Sequence, residues 1–190
     1  MADADLLLRL FSTPFLGPEG TQESVLPVGK PMALLAYLAV EDRAVPRREL
    51  AELLWPDADP ARGKASVRQA LWNLRKRLGA DLFPSEDPLT LSPGAVDTDL
   101  AQFRAALEEG DMDGARALWT GALLEGLEFP RAPQWARWVD ELRSAEERRF
   151  GDALASAAGE ARAAGNLRAA RGYLEAAVDV QPYRADPHVA

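Results

Sequence analysis

Arg62, Lys64, Arg68, Arg75, Lys76 and Arg77 are all the charged residues between Asp59 and Asp81, so this stretch carries +6 and no acid. Six cations without a carboxylate suit one kind of chemistry, the binding of a polyanion. A helix that is only solvated normally mixes signs. On a 3.6-residue period Val67, Leu71, Leu74 and Leu78 form one apolar stripe that must face a core. The opposite stripe is Arg62, Ala65, Gln69, Trp72 and Lys76, with Asn73 and Ser66 at one margin and Arg68 and Arg75 at the other. These are the side chains that groove recognition uses: guanidinium for guanine edges or phosphates, amide for adenine, ammonium for phosphates. Several have a plainer role open to them. Arg75, Lys76 and Arg77 also complement the negative end of a helix dipole, Gln69 and Asn73 also serve as solvated amides, and Trp72 either covers sugar and a thymine methyl or packs against the segment that follows. Lys30, Arg47 and Arg48 stand at two further helix starts, where free backbone N–H groups add to a phosphate contact; as ordinary surface bases they would need no partner.

Other chemistries are closed. There is no cysteine, and the one histidine is His188, which excludes thiol nucleophiles, Cys-ligated zinc and histidine triads. Glu108-Glu109 and Glu146-Glu147 read as solvated helix faces rather than catalytic pairs. Gly29-Lys30 has Ser24 where a phosphate loop needs its first glycine. No enzyme, metal or cofactor is expected. The 190 residues are 47% apolar, enough for real cores, and 30 acids against 22 bases give a net charge of −8. That acidity argues against nucleic acid only as an average, because the rest of the chain carries −14 around one basic stripe. An acidic body repels DNA everywhere except at that stripe.

The elements that must position these residues are legible as an order. Residues 5–28 read as short strands, including Ser24-Val25-Leu26. A first helix starts at Pro31, and a second is announced by Pro46 and carries Leu50, Leu53 and Leu54. The third runs from about Pro60 to Leu78 and stops at Gly79. Residues 81–91 read as a β-hairpin whose only charges are Asp81, Glu86 and Asp87. The expected class is an α+β N-terminal winged helix-turn-helix over residues 1–95, followed over 96–190 by an all-α domain of tetratricopeptide-like helical hairpins. Gly110-Asp111 and Gly165-Asn166 mark the hairpin turns, Pro182 ends the last pattern, and 133–164 is either one helix or two. Asp186-Pro187 would start a further helix, so the natural chain is expected to continue. With no cationic leader and no window of eighteen apolar residues, a cytoplasmic protein without a membrane partner is expected.

Leu26-Pro27 with Gly29-Lys30-Pro31-Met32-Ala33-Leu34-Leu35-Ala36-Tyr37-Leu38-Ala39, then Arg47-Arg48-Glu49-Leu50-Ala51-Glu52-Leu53-Leu54-Trp55-Pro56-Asp57, then Val67-Arg68-Gln69-Ala70-Leu71-Trp72-Asn73-Leu74-Arg75-Lys76-Arg77-Leu78-Gly79 resemble the SARP-type bacterial transcriptional activators. Such proteins join an OmpR-type winged helix to a bacterial transcriptional activation domain. The resemblance extends through Val96-Asp97-Thr98-Asp99, Gly121-Ala122-Leu123-Leu124-Glu125-Gly126-Leu127, Trp138 and Glu141. It implies binding to double-stranded promoter DNA, as two molecules on direct repeats, and activation by contact with RNA polymerase. The polymerase-facing loop of OmpR-type domains maps to 56–60, where Asp57 and Asp59 either make that contact or cap the third helix. An acidic hairpin departs from the usual basic wing and is not expected to enter the minor groove. The alternative function is a protein-interaction adaptor that has lost DNA binding.

Overall fold

The computed structural model describes residues 6–18, 20–21 and 23–180, so the expectations for Pro182 and for a helix at 186–190 fall outside the described residues. The polypeptide opens with two strands, β1 (Leu6–Arg9) and β2 (Phe15–Pro18), antiparallel with Leu8 opposite Leu16. Ser24-Val25-Leu26, expected as a strand, is irregular. Its Ser24 hydroxyl donates to the Leu16 and Leu26 carbonyls, and the Val25 N–H meets the Leu16 carbonyl at 2.8 Å. A side chain thus does locally what a ladder would have done.

Three helices follow: α1 (Lys30–Glu41), α2 (Arg47–Leu54) and α3 (Pro60–Leu78). Their apolar stripes are buried against one another: Met32 to Leu38 in α1, Leu50, Leu53 and Leu54 in α2, and Val67, Ala70, Leu71 and Leu74 in α3. Gly63 lets α2 and α3 approach, since a Cβ there would lie 3.3 Å from that of Ala51. The segment after α3 is not the expected hairpin. It makes a 3-10 turn at Ala80–Leu82, and Leu89 pairs with Val45 instead, each N–H reaching the other's carbonyl at 2.8 Å. Leu82, Phe83 and Leu89 are buried, so the segment packs on the three helices rather than pairing with itself.

The remainder is β3 (Asp97–Thr98), α4 (Asp99–Glu109), α5 (Met112–Leu118), α6 (Pro133–Ala163) and α7 (Leu167–Val180). Residues 133–163 form one helix, with Gly151 buried within it. Asn166 opens α7, its side-chain oxygen accepting from the Ala169 N–H at 3.1 Å. The pairs α4 with α5 and α6 with α7 are the two helical hairpins that the glycine turns mark.

The expected boundary at 95/96 separates two strands of one sheet. β3 lies parallel to β1, with Thr98 opposite Leu8, and the order is β2-β1-β3. Beyond β1 the Leu10 and Phe11 N–H groups have no strand to meet. The buried Asp99 carboxylate accepts them at 2.7 and 3.2 Å. Burial pushes the Asp99 carboxyl above the usual range, and these backbone donors pull it back. Phe11 then packs on Phe103 at 5.3 Å, and Phe103 on Phe150 at 5.2 Å, so one apolar core runs from the sheet through α4 to α6. Glu146, expected on a solvated face, is instead 1% exposed and receives Arg104 of α4 at 2.6 and 3.1 Å, because α6 turns that face toward α4.

A second seam joins α6 to α1. The Trp138 indole donates to Glu41 at 2.9 Å, and its ring lies 4.9 Å from that of Tyr37. The Tyr37 hydroxyl donates to Glu49 at 2.7 Å, and Arg43 bridges Glu41 and Glu49. Arg43 holds Glu49 below the usual carboxylate range. Trp138→Phe keeps the ring contact and removes the indole donor. It should cost about 1 kcal/mol, the scale of one hydrogen bond, as a lowered midpoint in urea at unchanged slope; an unaltered midpoint would mean that the bond contributes nothing.

Candidate nucleic-acid interface

The helix α3 is delimited by its own sequence. Asp59 caps it, one carboxylate oxygen accepting from the N–H groups of Ala61 and Arg62 at 3.0 Å each, Pro60 supplies the first turn, and Gly79 follows its end. At 1.5 Å per residue its 19 residues span about 28 Å. With Val67, Leu71 and Leu74 buried, the face turned outward carries Lys64, Arg68, Trp72 and Lys76 at successive intervals of four, all exposed. Gln69 is exposed beside them, and Ser66 and Asn73 are half-buried at the edge. Trp72 is 53% exposed and does not pack on the segment after α3; its ring lies 5.0 Å from the Lys76 ammonium. Lys64, Arg68 and Lys76 enter none of the ion pairs among the described residues.

The other basic residues named from the sequence are committed to partners. Arg62 pairs with Asp59 at 3.2 Å and Arg48 with Glu52 at 2.6 Å, both on exposed surface where such pairs are weak. Arg47 and Arg75 both meet Glu86, Arg75 at 3.0 Å, and Asp87 accepts from the Arg47 N–H at 3.1 Å. The acidic segment after α3 therefore places one carboxylate on two arginines and another on the N-terminus of α2, the positions a phosphate would take. Its sequence signal was the absence of any basic residue there; that Glu86 faces these arginines depends on the fold. Arg77 is turned away, donating to the Val25 carbonyl at 2.8 Å.

Lys30 is not brought to the α3 stripe. Its ammonium lies 5.0 Å from the Trp55 ring and 5.7 Å from that of Phe129, in a cleft that also takes in Asp57 and Arg62. Asp57 is exposed and Asp59 caps α3. Among the described residues no group of three or more histidine or carboxylate side chains is placed to hold a metal, and no helix is long and apolar enough to cross a membrane.

No family model matches this sequence, and no curated protein matches it either. The architecture does match a solved structure, that of Mycobacterium tuberculosis EmbR in complex with a low-affinity phosphopeptide, with a TM-score of 0.66 at 22% identity over 95% of this chain. The chain shares the fold of EmbR. It spans about half the length of the EmbR chain, 52%, and the likeness takes in both the sheet with α1 to α3 and the helices that follow, since nearly all of the chain is covered.

Proposed function

We propose that this protein is a sequence-specific DNA-binding transcriptional regulator of the SARP type. In this reading α3 enters the major groove of double-stranded promoter DNA and the chain activates transcription by contacting RNA polymerase. The observation that carries the reading is the acid-free exposed stripe of Lys64, Arg68, Trp72 and Lys76 on a capped helix of groove-spanning length. A fold shared with EmbR and the three sequence blocks that resemble SARP-type activators support it. Lys64, Lys76 and Arg62 meet phosphates, which sets orientation and salt dependence. Arg68, Gln69 and Asn73, with Ser66 at the edge, read base edges, and Trp72 covers a thymine methyl or sugar. Asp57, exposed in the turn before α3, is the residue placed for a basic surface of polymerase, because Asp59 is engaged as the cap. Two molecules bind direct repeats about one helical turn apart. Selection of bound fragments from a random duplex pool tests the reading: an enriched repeated motif is expected, and an unenriched pool would overturn it.

Glu86 gives a sharper test. A phosphate approaching Arg47 and Arg75 must displace this exposed carboxylate, so Glu86→Gln should tighten DNA binding about three- to fivefold in fluorescence anisotropy, the scale of an exposed ion pair. Unchanged or weaker binding would remove these two arginines from the interface.

The same neutralised arginines, in a chain of net charge −8, favour a second reading: an adaptor that binds proteins through α4 to α7 and has lost DNA binding. It would retain a protein partner while enriching no DNA motif.

A further inference from the structure

Between the start of α1, the turn joining α2 to α3 and residues 129–131 lies a cleft of about 680 Å3. Its walls are apolar and held in place: Trp55 ends α2, and the Phe129 ring packs against Trp135 at 5.8 Å, itself fully buried at the start of α6. Pro56 and Pro130 complete them. The charges are unbalanced. Lys30, Arg62 and Arg131 line the cleft with Asp57 as the one carboxylate, and Arg62 is held by Asp59. Lys30 and Arg131 enter no ion pair among the described residues. The Lys30 ammonium has instead the faces of Trp55 and Phe129. Burial there, with Arg131 adding like charge, lowers its pKa against the opposing effect of Asp57. A partly desolvated cation beside a second cation in an apolar cleft is stabilised most by an anion. Clefts of about 300–1,000 Å3 with apolar walls and a few convergent polar groups are those that hold small molecules.

We propose that this cleft binds a small planar anion, an aromatic ring bearing a carboxylate or a phosphate. The ring lies against the walls of Trp55, Pro56 and Pro130, and the anion meets Lys30 and Arg131. Two of the walls belong to the turn that leads into α3, so occupancy bears directly on the placement of that helix. The site does not depend on the assignment of α3 to DNA, and binding is measured without DNA.

The test is a titration of the full chain followed by the indole N–H resonance of Trp55, assigned with Trp55→Phe. Adenosine 5′-monophosphate and salicylate are the two probes; adenosine supplies the ring without the anion and inorganic phosphate the anion without the ring. At least one probe should shift the resonance saturably. Lys30→Met and Arg131→Gln, each removing one charge-assisted contact, should weaken that binding about tenfold. Saturation by the nucleotide alone assigns a phosphate ligand, and by salicylate alone a carboxylate. No saturation by either probe, equal binding of adenosine or of inorganic phosphate, or variants that bind as the parent does would overturn the proposal. Arg131 is exposed outside the core, so Arg131→Gln keeps the test available if Lys30→Met perturbs folding.

Discussion

Replacing Arg68 and Lys76 together by alanine is expected to weaken binding to a selected promoter duplex about a hundredfold near physiological salt, while leaving the fold intact. Both side chains are exposed on α3 and enter no ion pair among the described residues, so their loss removes nothing that packs. The two contacts differ in kind, and the difference is measurable. A phosphate contact releases counterions, so Lys76→Ala alone should weaken binding to all sequences about equally and reduce the slope of log K against log salt by about one. A guanidinium that reads a base edge is worth about 1–3 kcal/mol of discrimination, so Arg68→Ala should in addition relax preference at one position of the motif. Binding independent of salt, or a double variant that binds like the parent, would show that α3 is not the DNA-contacting element.

Phe103→Ala is expected to be the most destabilising single truncation in the core, by about 3–5 kcal/mol. Phe103 is fully buried, with ring centroids of Phe11, Trp119 and Phe150 all 5.2 to 5.3 Å away. It therefore joins the continuation of β1 to α5 and α6, and its loss opens a cavity that three aromatic rings fixed by other elements cannot easily fill. In a chain of this size such a loss lowers the thermal midpoint by on the order of 10 °C. Calorimetry should also show a single transition in the parent, because the apolar core is continuous from the sheet to α6. Two separate transitions, with Phe103→Ala lowering only the second, would mean that the two halves fold as independent units.

Much of this was legible in the residues. The helix α3 could be delimited to its ends because its signals are local: a capping aspartate, a first-turn proline, an apolar set at i, i+4, i+7 and i+11, and a terminal glycine. The outward stripe followed from the same period, since a buried face determines the exposed one. The glycine turns at 110 and 165 were legible for the same reason. Expectations failed where the partner of a group lies far along the chain. The segment at 81–91 has turn residues between two apolar pieces, which reads as a hairpin, yet its Leu89 N–H is taken by Val45. Glu146 looked solvated beside Glu147, but Arg104 meets it across the α4 to α6 contact. Trp72, which either packed or stood free by its spacing, proves exposed because Phe83 and Leu82 fill the core beside α3 without it.

By itself the sequence determined which segments are helical, where α3 begins and ends, which of its faces is buried and that its outer face carries no acid. All of these depend on residues within about four positions of one another, the reach of a helical turn. Only the tertiary structure decided which of the cations are left unpaired, that Glu86 lies on Arg47 and Arg75, that Lys30 is drawn between Trp55 and Phe129, and that β3 completes the sheet begun by β1. Those are contacts between residues tens of positions apart. Charge pairing and burial depend on distance in space, and local pattern carries no information about which distant segment will be brought alongside.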